Sequence, residues 1–122
     1  MNGQPTDRFN PWVYRALFER SGVSMALLDA EGRFLAVNQA ARELLGYSDE
    51  ELQAMTVMEV CHPDDLPASL EAAERLLDGQ GDAFRMEQRC LRQDGQTIWV
   101  MAFVTLLRFP GVGGTESESA LL

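Results

Sequence analysis

Residues 82–107, DAFRMEQRCLRQDGQTIWVMAFVTLL, carry the pattern from which the rest of the architecture follows. Two runs suited to strands, 82–92 and 96–107, flank Gln93-Asp94-Gly95, and Asp-Gly between such runs signals a hairpin because a tight turn demands positive φ. In the first run Phe84, Met86, Gln88 and Cys90 share one face; Arg85, Glu87, Arg89 and Leu91 share the other. In the second, Trp99, Met101 and Phe103 alternate with Val100, Ala102 and Val104, so both faces are apolar. Such a strand must be covered twice. Helices supply one cover, and the N-terminal helix or a second subunit supplies the other.

Upstream, residues 24–29 (SMALLD) and 33–38 (RFLAVN) form a second antiparallel pair around Ala30-Glu31-Gly32. Asn38 then caps a helix with Ala40, Ala41, Leu44 and Leu45 on one face, ended by Gly46. Ser48 and Glu51 have capping-box spacing and open a short helix ending near Ala54. A third short segment spans 56–60. Asp64 and Asp65 begin a longer helix to Asp78, ended by Gly79, with Leu66, Leu70, Ala73 and Leu77 as its buried stripe. At the N-terminus, Asn10-Pro11 starts an amphipathic helix whose stripe is Trp12, Val13, Ala16 and Leu17, widened by Phe9 and Phe18 and stopped at Ser21-Gly22. The chain therefore divides into a disordered tail (1–8), a flanking helix (9–22), a core (23–108), and a final segment (109–122, FPGVGGTESESALL) read as loop and tail or the start of a last strand.

At 122 residues, with 46% hydrophobic and 24% charged residues, the chain suits one folded domain. Nineteen acidic against ten basic residues give a net charge of −9, which opposes a phosphate-binding surface and argues against nucleic acid as a partner. No apolar run approaches the ~20 residues of a spanning helix. Two cysteines, Cys61 and Cys90, are too few for a disulfide scaffold and are read as free thiols in a reducing, cytoplasmic setting.

The order helix, hairpin, three short helices, long helix, hairpin is an α+β arrangement. Its motifs are Asp29-Ala30-Glu31-Gly32-Arg33 to Asn38, Gly46-Tyr47-Ser48 with Glu50-Glu51-Leu52, His62-Pro63-Asp64-Asp65, Glu87-x-Arg89, and Arg92-Gln93-Asp94-Gly95 ahead of Trp99-Val100. In this order and spacing, over about residues 14–107, they resemble the PAS sensory family, of the S-box type found in bacterial signalling proteins. The resemblance implies a five-stranded antiparallel sheet cupped by short helices around a small pocket, in a module that senses a ligand or mediates dimers and relays its state to an effector domain outside this chain. A last strand that is incomplete or absent is expected here.

The inner surface offers Ala26, Leu28, Leu44, Val57, Met58, Leu70, Leu77, Gln88, Cys90, Val100, Ala102 and Val104 as a pocket lining, with Gln88 the polar contact for a small apolar ligand. Trp12, Val13, Ala16, Leu17, Met101 and Phe103 form the covered outer face, within one chain or across a homodimer. His62, the only histidine, stands before the long helix and is read as part of its start rather than as a haem or metal ligand. Val57 occupies the position of the adduct-forming cysteine in the family's flavin light sensors, and Cys90 and Val100 replace polar flavin contacts, so no cofactor is expected. Arg85 and Arg89, which share a face with Glu87, are read as making cross-strand or neighbouring ion pairs on the outer face. No nucleophile–base pair, phosphate loop or Cys-x-x-Cys occurs, so the chain is read as non-catalytic. The alternative is a haem, flavin or apolar small-molecule binding protein using His62 or Gln88.

Overall fold

The Asn10 side chain accepts a hydrogen bond from the Val13 N–H at 3.3 Å and starts α1 (Pro11–Arg20), as the Asn-Pro pair predicts. The computed structural model describes residues 10–108 and 116–121. The segment 1–8, Phe9 at the head of the flanking helix, residues 109–115 and Leu122 lie outside the described residues. After α1 come β1 (Met25–Asp29) and β2 (Phe34–Val37), an antiparallel pair turned through Gly32 at φ 86°. Then follow α2 (Gln39–Leu45), α3 (Asp49–Gln53), α4 (Val57–Val60) and α5 (Leu66–Leu77), and last β3 (Ala83–Leu91), β4 (Thr97–Arg108) and β5 (Glu116–Leu121).

Local chemistry sets these boundaries. Asn38 caps α2, and Gly46 ends it in the left-handed conformation at φ 81°, where a side chain would be strained. Ser48 and Glu51 exchange both bonds of a capping box at the head of α3. The β3–β4 turn is tied back to the helices: the Arg92 guanidinium donates to the carbonyls of Glu43 and Leu44, filling two acceptors that the end of α2 leaves open.

The five strands form one antiparallel sheet in the order β2-β1-β5-β4-β3. The last strand is thus present rather than absent, and incomplete only in extent. Residues 117–121 pair with all of β1, and the six residues of β5 pair with β4 only along 103–108. Among the described residues, 97–102 of β4 have no partner on that side. The sequence ESESAL hides this strand because Glu and Ser carry little strand propensity; backbone pairing on both sides holds it.

The core lies between the sheet and the helices. Ala26, Leu28, Phe34, Val37, Ala41, Leu45, Leu52, Val60 and Cys90 form its buried cluster, with Tyr47, Met55, Val57, Ile98 and Val100 packed around it. Asn38, fully buried, is its polar hub. The Asn38 Oδ1 accepts from the Met25 and Ala41 N–H groups at 3.0 Å, and its Nδ2 donates to the Phe18 and Val23 carbonyls at 2.9 and 2.8 Å. One side chain therefore links α1, β1 and α2. A second link between α1 and α2 is the Arg42 guanidinium, 2.6 Å from the Glu19 carboxylate, which this hydrogen bond holds below its usual value.

Candidate functional site

Between the inner face of the sheet and the helices lies a cavity of about 130 Å³. Alternation along β1, β3 and β4 aims every second side chain at it, and the short helices close the far side. Of the twelve expected lining residues, Ala26, Leu28, Val57, Met58, Leu70, Gln88, Cys90, Ala102 and Val104 reach it. Leu44, Leu77 and Val100 do not, which corrects that part of the expectation. Helix α2 turns Ala41 and Leu45 inward instead of Leu44, and in α5 the buried place falls to Leu76 rather than Leu77. Val100 packs against the core beside the cavity. The lining also includes Phe34, Ala41, Leu45, Val60, Cys61, Leu66, Ala73 and Phe84, so it is mostly apolar, with Glu31, Ser69 and Gln88 as its polar residues.

The cavity's size limits what it accepts. It resembles in volume the engineered apolar cavity of about 150 Å³ that takes up benzene, and it falls below the roughly 300 Å³ at which drug-sized pockets begin. A porphyrin or an isoalloxazine would need the helices to move apart. The polar groups fit such cofactors no better. His62 is absent from the lining; its Nδ1 accepts from the Asp64 N–H at 3.1 Å and its carbonyl accepts from Asp65 and Leu66, fastening the turn ahead of α5. Burial pushes the Cys90 thiol up to about 11 and raises Cys61 as well, so both are protonated near neutral pH and are poor thiolate ligands. Among the described residues, no group of three His, Cys, Asp or Glu side chains is placed to hold a metal.

At the edge of the sheet Arg89 is ion-paired, but with neither a cross-strand residue nor its neighbour Glu87. The partner is Asp65: its carboxylate receives the Arg89 Nε at 3.0 Å, Nη2 at 2.8 Å and backbone N–H at 2.8 Å. These bonds hold the Asp65 carboxyl down at about 2. Asp65 sits at the N-cap position of α5 without a side-chain capping bond, because its oxygens are spent on β3. The two residues lie 24 positions apart, a separation that no local spacing rule reveals. Arg89 also lies over the Trp99 ring at 5.0 Å, and Arg85 over Phe103 at 5.8 Å, so cation–π stacking replaces the expected ion pair on this face.

Among the described residues, nothing covers the outer face of β4 a second time. Trp99 is 66% exposed, and Met101 and Phe103 are also exposed. Helix α1 has no buried residue: Val13 is half-buried, while Trp12, Ala16 and Leu17 are exposed. The helix stands against α2 and borders a groove over β1 and β2, lined by Tyr14, Phe18, Met25, Leu27, Leu35 and Leu107 among others. Sheet and helix thus present two apolar surfaces to solvent, more than isolated surface apolar residues account for.

The family model described as "PAS fold" matches residues 34–111, more than half of the chain. The chain is 36% identical over 95 residues to the probable diguanylate cyclase DgcE of Escherichia coli (strain K12), covering 78% of this chain and 9% of that protein. It is 29% identical over 94 residues to the sensor histidine kinase TmoS of Ectopseudomonas mendocina, covering 77% of this chain and 10% of that protein. It therefore spans about a tenth of the length of these curated relatives. Among solved structures, the PAS domain of an HTR-like protein from Haloarcula marismortui superposes with a TM-score of 0.70 at 29% identity, covering 95% of this chain and 93% of that one. Fold, motifs and matches agree, and the chain belongs to the PAS family, homologous to segments of larger signalling enzymes.

Proposed function

We propose that the chain works as a non-catalytic sensory and dimerisation module, in a cytoplasmic setting, that relays its state to an effector domain outside residues 1–122. Two copies associate through the apolar outer face of β4 together with α1, and α1 carries the change onward because Asn38 and Arg42 bind it to the core. The observation that supports this reading best is the pair of exposed tryptophans, Trp12 at 69% and Trp99 at 66%, on surfaces that the described residues leave uncovered. Sensing would then act as a population shift: a signal that favours one packing of α1 on the sheet biases the dimer.

The cavity supports a small apolar ligand, of about benzene size, as one source of that signal, oriented by Gln88. The self-association reading is tested by sedimentation velocity on the Trp12→Glu variant. A shift toward monomer relative to the unsubstituted chain is expected; an identical monomer–dimer profile would remove α1 from the interface.

A further inference from the structure

Cys61, just past the end of α4, and Cys90, on β3, are direct neighbours across an antiparallel bridge, paired Cα to Cα. The His62 N–H donates to the Arg89 carbonyl at 3.0 Å. That bond joins the residues flanking the pair, so Cys61 and Cys90 occupy a non-hydrogen-bonded position, where the Cα atoms approach to about 4.5 Å and both side chains project to one side. Disulfides span Cα separations of roughly 4.4–6.8 Å, so the backbone already stands at bridging distance. Both side chains are buried, both line the inner cavity, and both are free thiols. They are also the only two cysteines of the chain.

We infer that Cys61 and Cys90 form an oxidation site that closes, on reaction with hydrogen peroxide, into an intrachain disulfide in the wall of the cavity. A cavity of about 130 Å³ admits an oxidant little larger than water. Cys61 is the first nucleophile: burial and then Asp65 raise its thiol, but the neighbouring Arg89 guanidinium favours its thiolate, a help Cys90 lacks. Cys61 releases its proton to solvent, and its sulfur attacks one peroxide oxygen. The O–O bond breaks, the departing hydroxide takes up a proton as water, and Cys61 becomes a sulfenic acid. The Cys90 sulfur then attacks the Cys61 sulfur; the S–O bond breaks, the hydroxyl leaves with the Cys90 proton as a second water, and the S–S bond forms. Two thiols are oxidised by two electrons and one peroxide is reduced to two waters.

The bridge ties the connection between α4 and α5 to β3, the strand that carries Gln88 into the cavity and Arg89 toward Asp65. It therefore stiffens the cavity wall at the point where α5 is hinged to the sheet. Nothing in this step requires the dimer, so its failure would leave the self-association reading intact.

The test uses the folded full chain with hydrogen peroxide as the probe, followed by thiol alkylation and non-reducing peptide mapping by mass spectrometry. The expected product is a monomer lighter by two hydrogens in which the Cys61 and Cys90 peptides are linked. It should revert with dithiothreitol, form faster as pH rises, and be lost in Cys61→Ser. Full alkylation of both thiols after peroxide, linkage only when denaturant precedes the oxidant, or linkage only between chains would each overturn the assignment.

Discussion

Replacing Asn38 by alanine removes the buried amide that joins the flanking helix to both β1 and α2. Four hydrogen bonds disappear: those from the Met25 and Ala41 N–H groups at 3.0 Å, and those to the Phe18 and Val23 carbonyls at 2.9 and 2.8 Å. Loss of the cap on Ala41 costs about 1 kcal/mol. Leaving buried peptide groups without partners costs about 1–3 kcal/mol more, reduced where water reaches the exposed Val23. The sum is about 3 kcal/mol, a large share of the ~5–15 kcal/mol that holds a domain together. Urea unfolding followed by circular dichroism should show a lower midpoint with an unchanged slope, and trypsin should cut at Arg15 or Arg20 of α1 sooner than in the unsubstituted protein. Asn38→Ser, which retains an acceptor for Ala41, should recover about 1 kcal/mol of the loss. A loss for Asn38→Ala below ~1 kcal/mol would refute the idea that this side chain is the junction.

The remaining predictions concern charge and backbone. Asp65 has a folded value of about 2 against an ordinary 3.8, so its contribution is complete above the ordinary value and fades as pH falls through about 2. Asp65→Asn should therefore be less stable at neutral pH, and thermal melts should show a smaller fall in its stability between about pH 4 and about pH 2; parallel acid profiles would count against the Arg89 pairing. Gly46→Ala forces a side chain into φ 81° with no contact nearer than 3.6 Å, so its cost is conformational, about 1–2 kcal/mol by denaturant titration. Gly22→Ala, with open space around it and no positive φ, should be neutral or stabilising by up to about 1 kcal/mol; equal losses at both glycines would contradict the conformational explanation.

The elements were legible where local chemistry defines them. Asn10-Pro11, the Ser48–Glu51 box, Gly46 and the Asp94-Gly95 turn all act as the sequence predicts. Alternation along β3 and β4 likewise places Gln88, Cys90, Ala102 and Val104 on the cavity. What stayed hidden depends on long-range geometry. The polar run at 116–121 becomes a strand only because β1 and β4 offer it partners on both sides. Asp65 reads as a helix-start acid until the fold brings Arg89 to it, and Arg92 reads as a turn residue until the turn meets the end of α2. In α5, Leu76 displaces Leu77 from the buried stripe because a helical face is about 100° wide, and adjacent leucines at its edge can exchange places.

The chain holds two tryptophans, Trp12 and Trp99, and both lie on the surfaces assigned to self-association. Acrylamide quenching of their fluorescence, measured across a dilution series alongside sedimentation, reads that assignment directly. Quenching should be strong in the dilute monomer and weaken in step with dimer formation. Dimer formation with both tryptophans still freely quenched, or a chain that stays monomeric at every concentration, would contradict the account.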